Sequence, residues 1–288
     1  MNLSLIENEI DISHLDKYAA IIGENPSNGA RSPKLWNKVF ENDGLPYSMV
    51  PLDVTKDNII ELLNDLSMDK DFIGGAIAVP FKETVFKWLG KSITPEAKKI
   101  GSVNCLYRDT KGKLKGTNTD GEASLVTFES NFGTLKDKFI MILGAGGAGK
   151  AVASYFSANA DSAIVISRSQ EGRKFAEKIN VNWGNWDQID KIIDSVDVVI
   201  NCTSIGFRDQ EMQSPLSEVQ LKKLKKSTIV FDIIYQPLRT KLLEIADKND
   251  LLTFNGLEMN LEQAVLAYQY AVKSNKSLGD IRKIMSKI

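Results

Sequence analysis

Short apolar runs alternate with amphipathic segments along the first 120 residues, and this alternation predicts an α/β domain. The predicted elements are strands over residues 18–23, 47–54 and 74–80, helices over 32–44 and 55–68, and a hairpin over 104–120 that turns near Lys111 and Gly112. Ser32 is the predicted N-cap of the first helix, because Pro33 follows it at a position that suits the first helical turn.

A second block, from Gly121 onwards, contains longer and more continuous apolar runs. Its predicted strands cover residues 138–144, 162–167, 197–203, 228–234 and 251–254, with helical segments between them. Continuous apolar strands that alternate with helices are typical of a doubly wound parallel sheet, covered on both faces. From about Leu257 the pattern predicts one long helix and a shorter one, which we expect to return to the first domain. Two domains are therefore predicted, residues 1–120 with 257–288 and residues 121–256.

The composition narrows the class of function. The chain has 288 residues with 36 basic and 37 acidic side chains, so a net charge of −1 offers no basic surface for nucleic acid or an anionic membrane. The lysines of residues 221–226 are interpreted as a solvated helix face. Cys105, Cys202 and the lone His14 lack the spacing of a metal site, and no apolar run suits a membrane span or a leader segment. We expect a cytoplasmic protein with reduced thiols and no metal.

The stretch "GAGGAGKAV", residues 144–152, lies between an apolar strand and a helix-forming segment, which is the context that a dinucleotide-binding loop requires. Gly144 would allow the tight turn, Gly146 would let a pyrophosphate approach the backbone, and Gly149 would permit close packing of helix on strand. The predicted cofactor loop comprises Gly144, Ala145, Gly146, Gly147, Ala148 and Gly149. The alternative is a purely structural glycine-rich turn, which the flanking strand and helix disfavour.

The end of the next strand favours NADP over NAD. NAD-binding proteins carry an acidic residue about 20 residues past the glycines, which accepts hydrogen bonds from the ribose hydroxyls. This chain has "ISRSQEGR" there, with no acid before Glu171. Ser167, Arg168, Ser169 and Arg173 would instead meet a 2′-phosphate with hydroxyls and planar cations. The alternative interpretation is an arginine that is merely solvated.

Three polar residues of the first domain stand beside predicted strand ends or turns. They are Lys82 in "VPFK", Asn104 in "SVNC" and Asp120 in "GTNTDG", where the domains are predicted to join. A lysine and a carboxylate in one cleft suit proton transfer to or from a hydroxyl. Together with a dinucleotide loop, they predict hydride transfer at an alcohol carbon.

With these motifs, the chain resembles the shikimate dehydrogenase family over nearly its whole length and in the family's order. The matching segments are "VPFKE" (79–83), "IGSVNCL" (100–106), "GTNTDG" (116–121), "GAGGAGKAV" (144–152), "SRS" (167–169), "NCTSIGF" (201–207), "DIIYQPLRTKLL" (232–243) and "NGLEMNLEQAVLAYQ" (255–269). The resemblance implies two α/β domains: an N-terminal substrate domain, completed by the C-terminal helices, and a Rossmann-like NADP-binding domain.

The resemblance also implies roles for individual residues. Lys82 and Asp120 would be catalytic, with Lys82 moving the hydroxyl proton and Asp120 hydrogen-bonding the reacting hydroxyl and orienting the lysine. The implied substrate-binding residues are Ser32, Asn104, Tyr235 and Gln263, and Thr203 and Gly256 join the cofactor-binding set. The implied reaction is reversible, NADP-dependent hydride transfer between 3-dehydroshikimate and shikimate. The expected ligand is a small cyclic polyol, without nucleic acid or membrane, and the expected state is a monomer or homodimer.

Four positions depart from the family pattern. Where the family has two serines followed by a histidine, this chain has Ala30, Ser32 and Trp36. An asparagine and a threonine of the family's N-V-T-V-P segment are Ala76 and Ala78. In the family the serines hold the substrate carboxylate, and the asparagine and threonine line the same pocket. We therefore expect weak activity on shikimate, or a preferred substrate that is altered at the carboxylate end.

Three functions remain open at this level. The first is a shikimate dehydrogenase, in which Arg31 could compensate for the lost groups if it points inward rather than into solvent. The second is a paralogue that uses another cyclic polyol, such as quinate or an aminoshikimate. The third is an NADP-binding regulator with little catalysis, against which the retention of Lys82 and Asp120 argues.

Overall fold

The computed structural model describes residues 1–288, and the chain divides into two compact units. Unit 1 comprises Met1–Thr119 with Leu261–Ile288, and unit 2 comprises Asp120–Asn260. Asp120, which the sequence analysis assigned to the first domain, is thus the first residue of unit 2.

Unit 1 is built on a five-stranded sheet. Its strands are β1 (Lys17–Gly23), β2 (Tyr47–Asp53), β3 (Phe72–Ile77), β4 (Cys105–Arg108) and β5 (Leu114–Thr117). Its helices are α1 (Ser32–Asn42), α2 (Ile59–Met68), α3 (Lys82–Leu89) and α4 (Pro95–Ile100). The strand order is β2-β1-β3-β4-β5, in which β1, β2 and β3 run parallel and β4 and β5 form the predicted antiparallel hairpin.

Both faces of this sheet are covered by apolar side chains, which is why the inner strands β1 and β3 consist almost entirely of apolar residues and glycine. One face packs against α2 and α3, with Leu62 and Val85 fully buried. The other face packs against α1 and the two C-terminal helices, α11 (Leu257–Val272) and α12 (Leu278–Met285). At its centre Trp36 of α1 meets Tyr268 of α11 edge to face, with ring centroids 5.2 Å apart.

Three details of the predicted elements in unit 1 were wrong. Ser32 is not an N-cap but the first residue of α1, because Arg31 before it already has helical φ and ψ of −79° and −27°. Helix α2 begins at Ile59 rather than at residue 55, after a turn in which the Thr55 hydroxyl accepts a hydrogen bond from the Asn58 amide. Strand β3 ends at Ile77, and the chain then turns through the cis Val79–Pro80 bond into α3. The helices α3 and α4 were not predicted.

Unit 2 is a doubly wound α/β unit. Its strands are β6 (Phe139–Leu143), β7 (Ser162–Ile166), β8 (Asn182–Gly184), β9 (Val198–Asn201), β10 (Ile229–Asp232) and β11 (Leu252–Asn255). Its helices are α5 (Asp120–Phe132), α6 (Gly147–Asn159), α7 (Gln170–Lys178), α8 (Ile189–Ile192), α9 (Glu218–Lys223) and α10 (Lys241–Lys248). The order β11-β10-β9-β6-β7-β8 is parallel throughout, as predicted, with β8 as an additional edge strand.

Apolar layers cover the unit 2 sheet. One cluster joins strand residues such as Met141 and Val230 to α8, α9 and α10. Phenylalanine rings form a second layer, in which Phe128 of α5 contacts Phe156 of α6 at 5.4 Å between centroids. The four lysines of residues 221–226 are exposed, as predicted, and each forms an ion pair with a carboxylate. They do not form one helix face, because α9 ends at Lys223 and Lys225 and Lys226 follow it. No helix of the chain combines the length and the apolar character that crossing a membrane requires.

Candidate functional site

The glycine-rich loop of unit 2 connects the end of β6 to the start of α6. Gly144 has a φ of +98°, which a residue with a side chain adopts only with strain, and its amide donates to the Ile166 carbonyl of β7 at 2.8 Å. A Cβ on Gly149 would lie 2.3 Å from the Gly144 carbonyl oxygen, so only glycine lets α6 pack this closely on the turn. The backbone geometry therefore requires glycine at both positions, for the reasons that the sequence predicted.

The N-terminus of α6 has the features of an anion-binding site. Gly146 is its N-cap, and the first helical hydrogen bond runs from the Lys150 amide to the Gly146 carbonyl at 2.8 Å. A Cβ built on Gly146 meets no heavy atom within 4 Å, so open space adjoins the N-terminus of this 13-residue helix. Ala145, Gly147 and Ala148 are partly exposed around it. The backbone amides of a helix N-terminus and the positive end of the helix dipole favour a phosphate there.

The segment after β7 lies beside this loop, because β6 and β7 are neighbouring parallel strands. Ser167 is buried, whereas Arg168 and Ser169 are exposed. Ser169 is the N-cap of α7, and its hydroxyl oxygen accepts a hydrogen bond from the Gly172 amide at 3.0 Å. Arg173 is also exposed, and its Nε donates to Glu177 Oε1 at 3.0 Å. Two serines and two arginines thus follow the end of β7 in sequence, as the NADP hypothesis requires.

A buried polar network holds two further segments of unit 2. The Asp232 carboxylate is fully buried and accepts hydrogen bonds from Thr240 Oγ1 at 2.7 Å, Asn201 Nδ2 at 3.1 Å and the Ile234 amide at 3.1 Å. Burial raises the pKa of Asp232 to about 6, although the three donors act in the opposite direction. Asn201 Oδ1 in turn accepts from the Thr203 hydroxyl at 2.7 Å, so this network fixes the backbone around Thr203.

Gly256 packs its backbone directly against the segment that carries Tyr235. Its amide donates to the Ile234 carbonyl at 3.0 Å, and a Cβ at this position would lie 1.9 Å from the Ile233 carbonyl oxygen. Tyr235 itself is half-buried. Any side chain at position 256 would force these two segments apart.

In unit 1, Lys82 is the first residue of α3, and its carbonyl accepts a hydrogen bond from the Val103 amide at 3.0 Å. This bond ties the start of α3 to the segment that carries Asn104. Asn104 is buried, and its Oδ1 accepts from the Thr119 amide at 2.8 Å. The Thr119 hydroxyl donates to the Gln263 carbonyl at 3.2 Å. Unit 1 thus joins two predicted substrate residues, Asn104 and Gln263, through Thr119.

Neighbouring contacts anchor this cluster further. Glu262, next to Gln263, accepts two hydrogen bonds of 2.6 Å from the Arg282 guanidinium and so fastens α11 to α12.

Ser32 is buried at the start of α1. Of the predicted catalytic and substrate residues, Lys82, Ser32, Asn104 and Gln263 belong to unit 1, and Asp120 and Tyr235 belong to unit 2.

The alanines that replace polar family residues lie in an apolar environment. Ala76 is buried, and the half-buried Ala30 and Ala78 pack against the same hydrophobic cluster, which contains Trp36. The region that the family pattern would make polar is therefore lined here by methyl groups and apolar rings.

Sequence reasoning missed three residues that organise these sites. Thr119 lies inside the "GTNTDG" motif, and Asn201 and Asp232 begin the "NCTSIGF" and "DIIYQPLRTKLL" motifs, but the sequence predicted no role for any of the three. Each is a polar residue directly at or after a strand end, which is the pattern that could have identified them. The positions of these residues in the sequence do not show whether their side chains make a structural hydrogen bond or contact a ligand.

Comparison with known proteins gives consistent matches. Residues 21–106 match the family model of the shikimate dehydrogenase substrate-binding domain, and residues 127–237 match the model described as shikimate/quinate 5-dehydrogenase. The chain is 34% identical over 261 residues to the shikimate dehydrogenase (NADP+) of Methanocaldococcus jannaschii, an alignment that covers 88% of this chain and 90% of that protein.

A second relative and a solved structure are consistent with these matches. The shikimate dehydrogenase (NADP+) of Methanosphaera stadtmanae is 31% identical over 280 residues, covering 93% of this chain and 95% of that protein. Among solved structures, a shikimate dehydrogenase in complex with NADP+ superimposes with a TM-score of 0.81 at 30% identity, covering 94% of this chain and 95% of that one.

Proposed function

The chain belongs to the shikimate dehydrogenase family, and on that premise we propose how it works as an NADP-dependent shikimate dehydrogenase, which interconverts shikimate and 3-dehydroshikimate. One observation carries the proposal. The open N-terminus of α6 at Gly146 and the hydroxyl and guanidinium groups after β7 lie at the same end of two neighbouring parallel strands. This arrangement suits a dinucleotide that carries a pyrophosphate and a separate 2′-phosphate.

The residues of unit 2 fit NADP. Gly144, Gly146 and Gly149 would admit the pyrophosphate to the backbone amides at the start of α6, and Arg168 would bind the 2′-phosphate. Thr203 and Gly256 would border the cofactor further along the sheet edge. When bound, NADP accepts or supplies the hydride of the reaction.

Lys82 and Asp120 are proposed to handle the proton. In the oxidation of an alcohol, the hydroxyl loses its proton as the carbon loses a hydride, and Lys82 takes or relays that proton. Asp120 accepts a hydrogen bond from the same hydroxyl. In the reverse direction, protonated Lys82 polarises the ketone and gives its proton to the developing alkoxide.

We assign the orientation of the substrate to polar residues that hydrogen bonds within unit 1 already hold in place. Asn104 is fixed by its hydrogen bond from the Thr119 amide, and Thr119 also bonds the backbone of Gln263. A side chain that is held in this way loses little further freedom on binding, which favours precise orientation of ring hydroxyls. Ser32 and Tyr235 complete the proposed substrate set.

An activity screen tests the proposal. Formation of NADPH is followed with shikimate and with quinate, and its consumption with 3-dehydroshikimate, each with NAD(H) in parallel. Turnover with shikimate and NADP that is lost in Lys82→Ala would support it. Binding of NADP without turnover of any cyclic polyol would overturn it and favour the regulatory alternative.

A second candidate substrate has a specific observation in its favour. Ala30, Ala76 and Ala78 line an apolar region where the family carries groups for the carboxylate. A cyclic polyol whose carboxylate is altered or absent would lose less on binding there than shikimate, since a desolvated carboxylate needs partners. Faster turnover of such a polyol in the same screen would favour this candidate.

A further inference from the structure

Strand β8 supports the segment that is assigned to the 2′-phosphate. The Ser167 amide donates to the Gly184 carbonyl of β8 at 3.1 Å, and the indole Nε1 of Trp183 donates to Ser167 Oγ at 2.9 Å. Ser167 is therefore held by β8 through both its backbone and its side chain. The serine side chain also packs tightly on α7, because a Cβ on Gly172 would lie 2.2 Å from its Oγ.

The hydrogen bond from Trp183 determines what Ser167 can offer to a ligand. An indole N–H can only donate, whereas a hydroxyl carries one donor hydrogen and two acceptor lone pairs. Because Ser167 Oγ accepts from Trp183, its own hydrogen remains available for donation in another direction. A phosphate oxygen only accepts, so this polarity suits a phosphate. Ser169 has the same polarity, since its Oγ accepts from the Gly172 amide.

Trp183 also supports a cation. The guanidinium carbon of Arg173 lies 5.6 Å from the centroid of the Trp183 ring, within the range of a cation–π contact. Arg173 Nε engages Glu177 Oε1, so its terminal Nη groups are the ones that would meet an anion. One aromatic side chain thus contacts both Ser167 and Arg173, which approach the site from β7 and α7.

We propose that Trp183 is a positioning residue for cofactor specificity: it orients the Ser167 hydroxyl as a donor and stacks under Arg173, and so favours a cofactor that carries a 2′-phosphate. The inference rests on the proposed use of NADP. Trp183 itself needs no contact with the phosphate, because it acts through the two residues that it holds.

Replacement of Trp183 by Phe isolates the hydrogen bond, since phenylalanine keeps an aromatic ring under Arg173 and removes the N–H. The probes are adenosine 2′,5′-bisphosphate and adenosine 5′-monophosphate, which differ only in the 2′-phosphate, and their affinities are measured by calorimetry. We expect Trp183→Phe to weaken the bisphosphate about three- to tenfold, as for the loss of one hydrogen bond, and to leave the monophosphate unchanged. Trp183→Leu, which also removes the stacking, should weaken the bisphosphate further.

The matched control is Trp88→Phe. Trp88 of unit 1 donates its indole N–H to a side-chain oxygen, Asn64 Oδ1, over the same 2.9 Å, and this substitution should change the affinity of neither nucleotide. Ser167→Ala provides a second route if Trp183→Phe fails to fold. It should show the same selective loss, and the double variant should be no weaker than Ser167→Ala alone, since both changes remove one coupled interaction.

The outcomes separate this inference from the proposed function. If wild-type protein binds both nucleotides equally, the use of NADP itself is wrong. If wild-type protein prefers the bisphosphate and Trp183→Phe retains the full preference, the proposed use of NADP is supported and the proposed role of Trp183 is overturned. Equal weakening of both nucleotides would also overturn it, because Trp183 would then serve the fold alone. If Trp183 has this positioning role, Trp183→Phe lowers kcat/KM with NADP in the enzyme assay and leaves kcat/KM with NAD unchanged.

Discussion

Asn201 donates a hydrogen bond from its side-chain amide to the fully buried carboxylate of Asp232, over 3.1 Å. The two residues end the neighbouring strands β9 and β10, where they pair directly in register. Asn201 also binds Thr203, and Asp232 also binds Thr240, so this one contact fixes both segments that leave the sheet edge. The proposed cofactor and substrate residues Thr203 and Tyr235 lie on these segments.

The buried Asp232 makes stability depend on pH. Burial raises its pKa from 3.8 to about 6 in the folded state, so the folded protein binds more protons than the unfolded chain between these values. The contribution of Asp232 to stability is therefore fully present below pH 4 and is lost as pH rises to 6, by about 3 kcal/mol. In Asp232→Asn this dependence is absent, while Thr240 can turn its hydroxyl to accept from the new amide.

Urea unfolding of both proteins from pH 4 to pH 7 checks this. As pH rises, the free energy of unfolding of the wild type should fall relative to that of Asp232→Asn. The other carboxylates contribute equally to both proteins and therefore cancel in the difference. A difference that stays constant with pH would show that Asp232 has an ordinary pKa.

The sequence predicted the parts of unit 2 that are defined by continuous apolar runs, because β6, β7, β9 and β10 are buried on both faces and tolerate few polar residues. It missed β8, which has only three residues, Asn182–Gly184, and just one of them is a large apolar residue. An edge strand of this length leaves no periodic pattern, and its role becomes visible only through its pairing with β7.

The candidate sites were predictable to a similar extent. Glycines with a fixed spacing point to a phosphate loop because few other functions need them, and Gly144 and Gly149 do have the predicted geometry. Ser32 was assigned as an N-cap because serine before proline is typical of that position, yet Arg31 already has helical angles. The network of Asn201 and Asp232 was not predicted, since a polar residue at a strand end looks the same in sequence whether it binds a ligand or a neighbour.

Lys82→Ala should separate chemistry from binding. Removal of a positioned acid–base group should lower kcat by roughly 10²–10⁴-fold, with the affinity for NADP little changed. Steady-state kinetics and calorimetric titration of NADP measure the two effects. Lys87→Ala, on the exposed face of the same helix α3, is the control and should retain full activity. Full activity of Lys82→Ala would exclude the proposed proton transfer.

Arg168→Ala should lower the affinity for NADP and leave that for NAD unchanged. A charge-assisted contact between arginine and phosphate contributes roughly 1.5–3 kcal/mol, which corresponds to a ten- to more than hundredfold loss of NADP affinity. Lys174→Ala removes an exposed cation from the same helix region and serves as the control for general charge. An unchanged affinity for NADP would mean that another residue binds the 2′-phosphate, and tighter binding of NAD by wild-type protein would reject NADP preference altogether.

The two loop glycines should respond differently to alanine. In Gly149→Ala the new Cβ would lie 2.3 Å from the Gly144 carbonyl oxygen, so the loop must shift and the free energy of unfolding should fall by about 1–3 kcal/mol. In Gly146→Ala the methyl group enters open space, so thermal stability should stay near wild type while the affinity for NADP falls. Thermal unfolding and NADP titration of both variants test this. Wild-type NADP affinity in Gly146→Ala would show that the pyrophosphate does not approach this backbone.

The substrate prediction concerns the alanines of unit 1. Each lost hydrogen-bond partner of a carboxylate weakens binding by about 1–3 kcal/mol, so Ala30, Ala76 and Ala78 together should leave kcat/KM for shikimate low. Ala30 and Ala78 are half-buried, so a hydroxyl placed there keeps access to water in the free enzyme, whereas a polar group at the buried Ala76 would be enclosed by apolar side chains. The double substitution Ala30→Ser with Ala78→Thr should therefore raise kcat/KM for shikimate without loss of stability.

A cyclic polyol without a carboxylate controls for general effects, because the new hydroxyls should not improve its turnover. The kinetic comparison needs four measurements, two proteins with two substrates each. If the double variant gains on shikimate alone, the three alanines have weakened a carboxylate site. If wild-type protein is already as efficient on shikimate as the double variant, the carboxylate is bound by other groups of unit 1, and Arg31, next to Ala30, is then the first residue to replace.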